Sequence, residues 1–76
     1  MNAALRPGDL VVSTRSVKLW ERPGPGPLVR GVDVALLGST FIVVCLADVD
    51  GWHEALIIGA GSVLGWSSTS RFDSVT

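Results

Sequence analysis

Short apolar runs separated by glycine- and proline-rich turns set the pattern of this chain. Apolar and polar residues alternate over 17–20 and 32–34, which is the period-2 pattern of strands with one buried face. The densest apolar run, 41–47, is rich in β-branched and aromatic residues and predicts the main strand. Because no stretch keeps a 3.6-residue period over three turns, the pattern predicts an all-β fold.

Turn chemistry places the remaining elements. The tight-turn sequence Asp48-Val49-Asp50-Gly51 joins the main strand to a return strand over 52–58. Further strands are predicted at 10–13, 63–66 and 71–75, with a single helical turn at 67–70 and a proline-rich loop at 23–27. The turn spacing favours a small five-stranded antiparallel barrel.

Seventy-six residues are enough for one domain. We divide it into an N-terminal strand or arm, 1–16, and a barrel, 17–76. Apolar residues make up 47% of the chain and charged residues 17%, which excludes a disordered tail. The N-terminus lacks the apolar stretch of a signal peptide, and the run 41–47 is too short to span a bilayer, so we expect no membrane partner. The expected location is the cytoplasm, or the interior of a virion.

Two Gly-Trp pairs carry a resemblance to a known family. The positions concerned, from Val17 onward, are the segment 19–24 (Leu-Trp-Glu-Arg-Pro-Gly), Gly38 before the main strand, Gly51-Trp52, and Gly65-Trp66 with the following turn and Phe72. Together they resemble the bacterial Src-homology-3-like (SH3b-type) domains. The resemblance implies a small barrel and binding of a cell-wall peptide or glycan. The arginine and serine of that family's opening motif are absent here.

The residue types needed for catalysis are scarce. His53 is the only histidine and Cys45 the only cysteine, too few for a four-ligand zinc site. His53 and Glu54 are adjacent strand residues and therefore point to opposite faces. Asp48 and Asp50 supply fewer oxygens than calcium requires. We predict no enzyme activity, no metal and no cofactor, with His53 an exposed strand residue and Cys45 a buried one.

The charge of the chain bears on its partners. A net charge of −1 argues against nucleic acid. Arg15, Lys18 and Arg22 do cluster around Trp20, a grouping that some small barrels use for nucleic acid, but Glu21 interrupts it. The chain has no tyrosine, which disfavours recognition of proline-rich peptides. Trp52 and Trp66 are expected to be substantially buried, or alternatively to line a ligand groove.

The predicted hairpin of 41–47 and 55–58 is apolar on both faces, although a barrel strand normally has a polar outer face. Ile42, Val44 and Leu46 point outward if Phe41, Val43 and Cys45 point inward, or the reverse. Either the N-terminal segment or the 23–27 loop covers the outer face, or that face docks on another subunit.

Two functions follow from this pattern. The first is a non-catalytic protein-binding and assembly module that contacts itself or a larger assembly, as a small structural component of a complex such as a phage virion. The alternative is a cell-wall (peptidoglycan) ligand-binding module. The candidate interface or groove residues are Trp20, Ile42, Val44, Leu46, Trp52, Leu56, Ile58 and Trp66.

Overall fold

A computed structural model describes residues 4–24 and 29–75. Within them the fold is all-β, as the apolar pattern predicts. The strands are β1 (Leu10–Ser13), β2 (Val17–Trp20), β3 (Gly31–Ala35), β4 (Thr40–Val49), β5 (Trp52–Gly59), β6 (Leu64–Ser68) and β7 (Phe72–Ser74), with single 3-10 turns at Ala60–Ser62 and Thr69–Arg71. No helix in this described part is long and apolar enough to cross a membrane.

The strands form one antiparallel sheet in the order β3-β2-β6-β5-β4-β1-β7. The predicted count of five strands is wrong. The segment that contains the predicted 32–34 alternation forms β3 and pairs with β2 over Gly31–Ala35. Strands β1 and β7 pair with each other. No pairing joins β3 to β7 among the described residues, so a closed barrel is not confirmed.

The sheet curls around its own core. Leu19 and Ala35, from one end of the strand order, belong to the same buried cluster as Val11 and Phe72, from the other end. Because the described residues include no second layer to cover the sheet, only its curvature brings these side chains together. Phe72 meets the ring of Phe41 edge-on, with centroids 6.0 Å apart and an interplanar angle of 81°.

The β4–β5 hairpin turns within the second half of the predicted turn sequence 48–51. Asp50 and Gly51 form it with φ values of 51° and 81°, and two positive φ angles are typical of a tight hairpin turn. The ladder contains a bulge: Val43 pairs with Ile57, whereas Cys45 pairs with Leu56, which leaves Val44 without a partner. The side chains of β4 therefore change faces relative to β5 at Val44.

The two segments expected to cover the hairpin are only partly described. In the segment 1–16, β1 lies within the sheet between β4 and β7, and Leu5 packs against the core. In the loop after β2, a Cβ added to Gly24 would lie 2.8 Å from a methyl group of Val49, so this loop passes over the turn end of the hairpin. Residues 1–3 and 25–28 lie outside the described part.

Candidate functional site

Exposure decides which face of β4 points outward. Val43 is 1% exposed and Phe41 is also buried, whereas Ile42 and Val44 are 48% and 45% exposed. Of the two arrangements that the sequence leaves open for 41–44, the structure therefore has Phe41 and Val43 in the core.

Apolar side chains continue across the outer face from strand to strand. Residues paired directly across an antiparallel ladder lie on the same face, so the register defines two rows. The first row runs across β1, β4, β5 and β6, and the second across β4, β5, β6 and β2. We call these rows, with Val44 between them, the apolar face; its members are Leu10, Ile42, Ile58 and Leu64 in the first row and Cys45, Leu56, Trp66 and Trp20 in the second.

Leu46 does not belong to this face. It pairs with buried Ala55, so beyond the bulge it lies on the core side of the sheet, where it lines a cavity with Leu5 and Thr69. Cys45 is half-buried on the outer side and pairs with Leu56. Neither of the two alternations that the sequence leaves open holds along the whole of β4, because the bulge shifts the alternation by one residue; Leu46 is nevertheless 40% exposed.

The two Gly-Trp pairs place their indoles differently. Trp66 is half-buried in the middle of the sheet, in line with Leu56 and Trp20. Trp52 is 52% exposed, so its predicted burial is wrong. It is the first residue of β5, at the turn end of the hairpin and beyond the core, and its ring lines a cleft instead.

This cleft has a volume of about 450 Å³ and lies at the polar end of the same outer face. Such a volume is within the range of small ligand sites. Trp20 and Trp52 contribute aromatic surface. The other lining residues are Arg15, Ser16, Val17, Lys18, Gly24, Val29, Glu54, Ser67, Ser68 and Arg71.

Positive charge is concentrated in the cleft. Arg15, Lys18 and Arg71 are three of the six cationic residues of the chain, whereas Glu54 is one of its seven carboxylates. Arg71 is brought next to the β1–β2 connection by two bonds from Thr14, whose backbone N–H and hydroxyl both donate to the Arg71 carbonyl at 2.9 Å. We refer to this site as the cationic cleft.

Glu54 is the one buried carboxylate of the described residues and is only 8% exposed. Burial raises the pKa of Glu54 above its ordinary value of 4.5, and a hydrogen bond donated by the Gly24 backbone N–H partly opposes that rise. The neutral acid is therefore favoured over a wider pH range than in an exposed glutamate. Gly24, in the loop after β2, thus both lines the cleft and contacts its buried carboxylate.

The remaining chemically reactive residues lie apart from the cleft. His53 is exposed and its Nδ1 lies 2.6 Å from the Asp48 carboxylate, on the neighbouring strand. Glu54 lines the cationic cleft and His53 does not, although both border the cavity next to Leu46. The described residues contain no group of three or more histidine, cysteine or acidic side chains arranged to hold a metal.

Sequence reasoning identified part of the cleft. Arg15, Lys18 and Trp20 were grouped correctly because they are near neighbours in the chain. Arg22 was placed with them but does not line the cleft, whereas Arg71 and Glu54 do. No local signal marks Arg71, because its position depends on pairing between the first and last strands.

Comparison with protein-family models, with curated proteins and with solved structures finds no match to this chain. The resemblance to bacterial SH3-like domains, and the cell-wall ligand that it implies, therefore stays a prediction.

Proposed function

We propose that this domain is a non-catalytic protein-binding and assembly module, and that its apolar face binds a second copy of the chain. The single observation that carries the proposal is the uninterrupted first row, in which Leu10, Ile42, Ile58 and Leu64 are each at least two-fifths exposed. Soluble domains rarely leave a contiguous apolar patch of this kind in contact with water.

The composition of the apolar face supports a second copy as its partner. Neither row contains a charged residue. In a two-fold contact the same patch is buried on both copies, so a charge on the face would be buried twice, and near the axis it would meet its own like charge. A neutral, apolar sheet face avoids this repulsion and is self-complementary.

The size of the apolar face predicts the strength of this contact. Its exposed side chains present roughly 350 Å² per copy, within the range of functional patches but below the 800 Å² or so that each partner buries in a standard interface. Burying that area on two copies gives about 17 kcal/mol of gross hydrophobic free energy, from which association costs of roughly 4–15 kcal/mol and the cost of ordering the interface side chains are subtracted. The contact is therefore weak as an isolated pair and suited to an assembly in which it repeats.

The proposal is tested by sedimentation equilibrium of the wild-type chain and of Ile58→Lys over a wide concentration range. We expect the average mass of the wild-type chain to rise with concentration, and that of Ile58→Lys to stay at the monomer value. A lysine at position 58 places a charge in the middle of the first row, where association would bury it.

Leu36→Lys is the matched control, because Leu36 is also apolar and 62% exposed but lies in the β3–β4 turn, outside both rows. It should associate like the wild-type chain. A wild-type chain that remains monomeric at all concentrations, or an Ile58→Lys variant that associates normally, would rule out a second copy as the partner.

A further inference from the structure

We propose that the cationic cleft is a second binding site, which takes an acidic segment of a partner protein in extended conformation. This inference deepens the proposed function by giving the chemistry of a partner other than a second copy. It uses different residues from the first row, so the two proposals are tested by different variants.

The backbone geometry of the cleft suits an extended chain. Strands β2 and β6 are neighbours in the sheet, yet they pair only at Trp20 and Trp66. No further ladder pair joins the two strands, and Lys18 from β2 and Ser68 from β6 both line the cleft. Although neither strand is at the edge of the sheet, main-chain groups without a ladder partner can bind an extended peptide as an edge strand does, because main-chain hydrogen bonds supply affinity without a fixed sequence.

The charges of the cleft select the sign of that peptide. Arg15, Lys18 and Arg71 form no ion pair with any carboxylate of the described residues. Lys18 Nζ instead lies over the Trp20 ring, 5.3 Å from its centroid. Three unpaired cations gathered on a chain of net charge −1 repel one another, and carboxylates of a bound segment would relieve that repulsion.

The aromatic residues predict the remaining side chains of the segment. Trp20 and Trp52 both contribute to the lining, and alternate side chains of an extended peptide point in opposite directions. Because Lys18 Nζ lies over the Trp20 ring, the cations and the indoles face the same side of the segment. Acidic residues at every second position therefore all face the cleft, and the apolar residues between them face away from it. Nucleic acid is the weaker fit, because buried Glu54 lines the same cleft and the cations number only three.

The test measures fluorescence anisotropy of a labelled, end-blocked eight-residue peptide that alternates glutamate and valine. We expect saturable binding that weakens as sodium chloride is added. The same peptide with lysine in place of glutamate should not bind. An eight-nucleotide oligothymidylate should bind more weakly than the glutamate peptide, and preference for the oligonucleotide would overturn the proposal.

Variants of the cleft tie binding to the site. Arg71→Gln and Arg15→Gln should each weaken binding about three- to fivefold, the range expected for a partly exposed ion pair, and the double variant about tenfold or more. Arg6→Gln, which removes an exposed cation outside the cleft, should bind like the wild-type chain. Circular dichroism spectra of all variants should match that of the wild-type chain.

Two further outcomes decide between the proposals. Ile58→Lys should bind the peptide normally even though it no longer associates, so failure of one site does not imply failure of the other. An absence of saturable peptide binding by the wild-type chain, or binding that Arg15→Gln/Arg71→Gln leaves unchanged, would overturn the assignment of the cleft.

Discussion

The two faces of the β4–β5 hairpin are built from the same residue types but have different environments. Val43 and Ile57 pair across the ladder in the buried interior of the curled sheet, whereas Ile42 and Ile58, one residue away on each strand, pair in contact with water. The interior face explains why the domain folds. The outer face contributes nothing comparable to the isolated domain, and its apolar character therefore indicates binding.

The largest expected effect is the loss of stability caused by a charged substitution on the interior face. Val43→Lys places a charge at a position that is 1% exposed, with only apolar neighbours in the core cluster. Burying an unpaired ammonium group should cost about 4 kcal/mol or more, a large share of the total stability of a small domain. We expect this variant to be unfolded at room temperature in circular dichroism.

Val44→Lys is the matched control, because it makes the same substitution at the next residue, on the outer side of the bulge. It should fold with a change in unfolding free energy of about 0.5 kcal/mol or less. It should also lose self-association, since Val44 lies between the two rows of the apolar face. Equal stability of the two variants would contradict the assignment of faces.

A smaller effect is expected from adding a single methyl group to the interior face. A Cβ at Gly65 would lie 2.6 Å from the Cβ of Leu19, which cannot move away without shifting its backbone. Gly65→Ala should therefore lower the unfolding free energy by about 1–3 kcal/mol, measured by urea denaturation. The neighbouring outer change, Leu64→Ala, removes three carbons and yet should cost less than about 1 kcal/mol, because Leu64 is half exposed. The reverse order of the two effects would contradict the packing described for β6.

Local chemistry made the strands predictable from sequence. The Asp50-Gly51 turn, the glycines before β4 and β6, and the β-branched run of β4 each act within a few residues, and the strands lie where these signals place them. The bulge at Val44 carries no such signal, because every residue around it is apolar and either alternation satisfies the pattern. Neither alternation that the sequence leaves open therefore predicts that Leu46 lies on the opposite face from Ile42.

Long-range pairing made the cleft only partly predictable. Arg15 and Arg71 meet because β1 and β7 pair, which no local pattern encodes. The pairings of β1 with β7 and of β3 with β2 place seven strands in one sheet, where five were predicted. Trp52 was expected to be buried because it is large and apolar. It is exposed because it is the first residue of β5, next to the hairpin turn. Residue type alone therefore does not distinguish a core tryptophan from one that lines a site.

The smallest expected effect concerns Glu54, where the comparison of the two faces has an exception. By register Glu54 lies on the outer face, opposite Ala47 and Ser68, yet it is buried, and its carboxylate accepts a hydrogen bond from the Gly24 N–H. Because burial raises its pKa in the folded state, the folded chain binds a proton more readily than the unfolded chain between pH 4.5 and that raised value. The contribution of this group to stability is complete below pH 4.5 and is lost as the pH rises through that window.

Glu54→Gln removes this titration and keeps an oxygen that accepts from the Gly24 N–H. Urea denaturation of both proteins at pH 4 and pH 7 should therefore show the wild-type chain losing stability relative to Glu54→Gln on going to pH 7. Glu21→Gln is the control, because it replaces an exposed carboxylate next to Trp20. It measures how much the stability changes between the two pH values when an exposed carboxylate is removed. If the wild-type chain instead gains stability relative to Glu54→Gln at pH 7, the Glu54 carboxylate is better stabilised in the folded chain than in water. The loop after β2 then supplies charge stabilisation that outweighs burial, and Glu54 belongs with the cations of the cleft as an ionised partner.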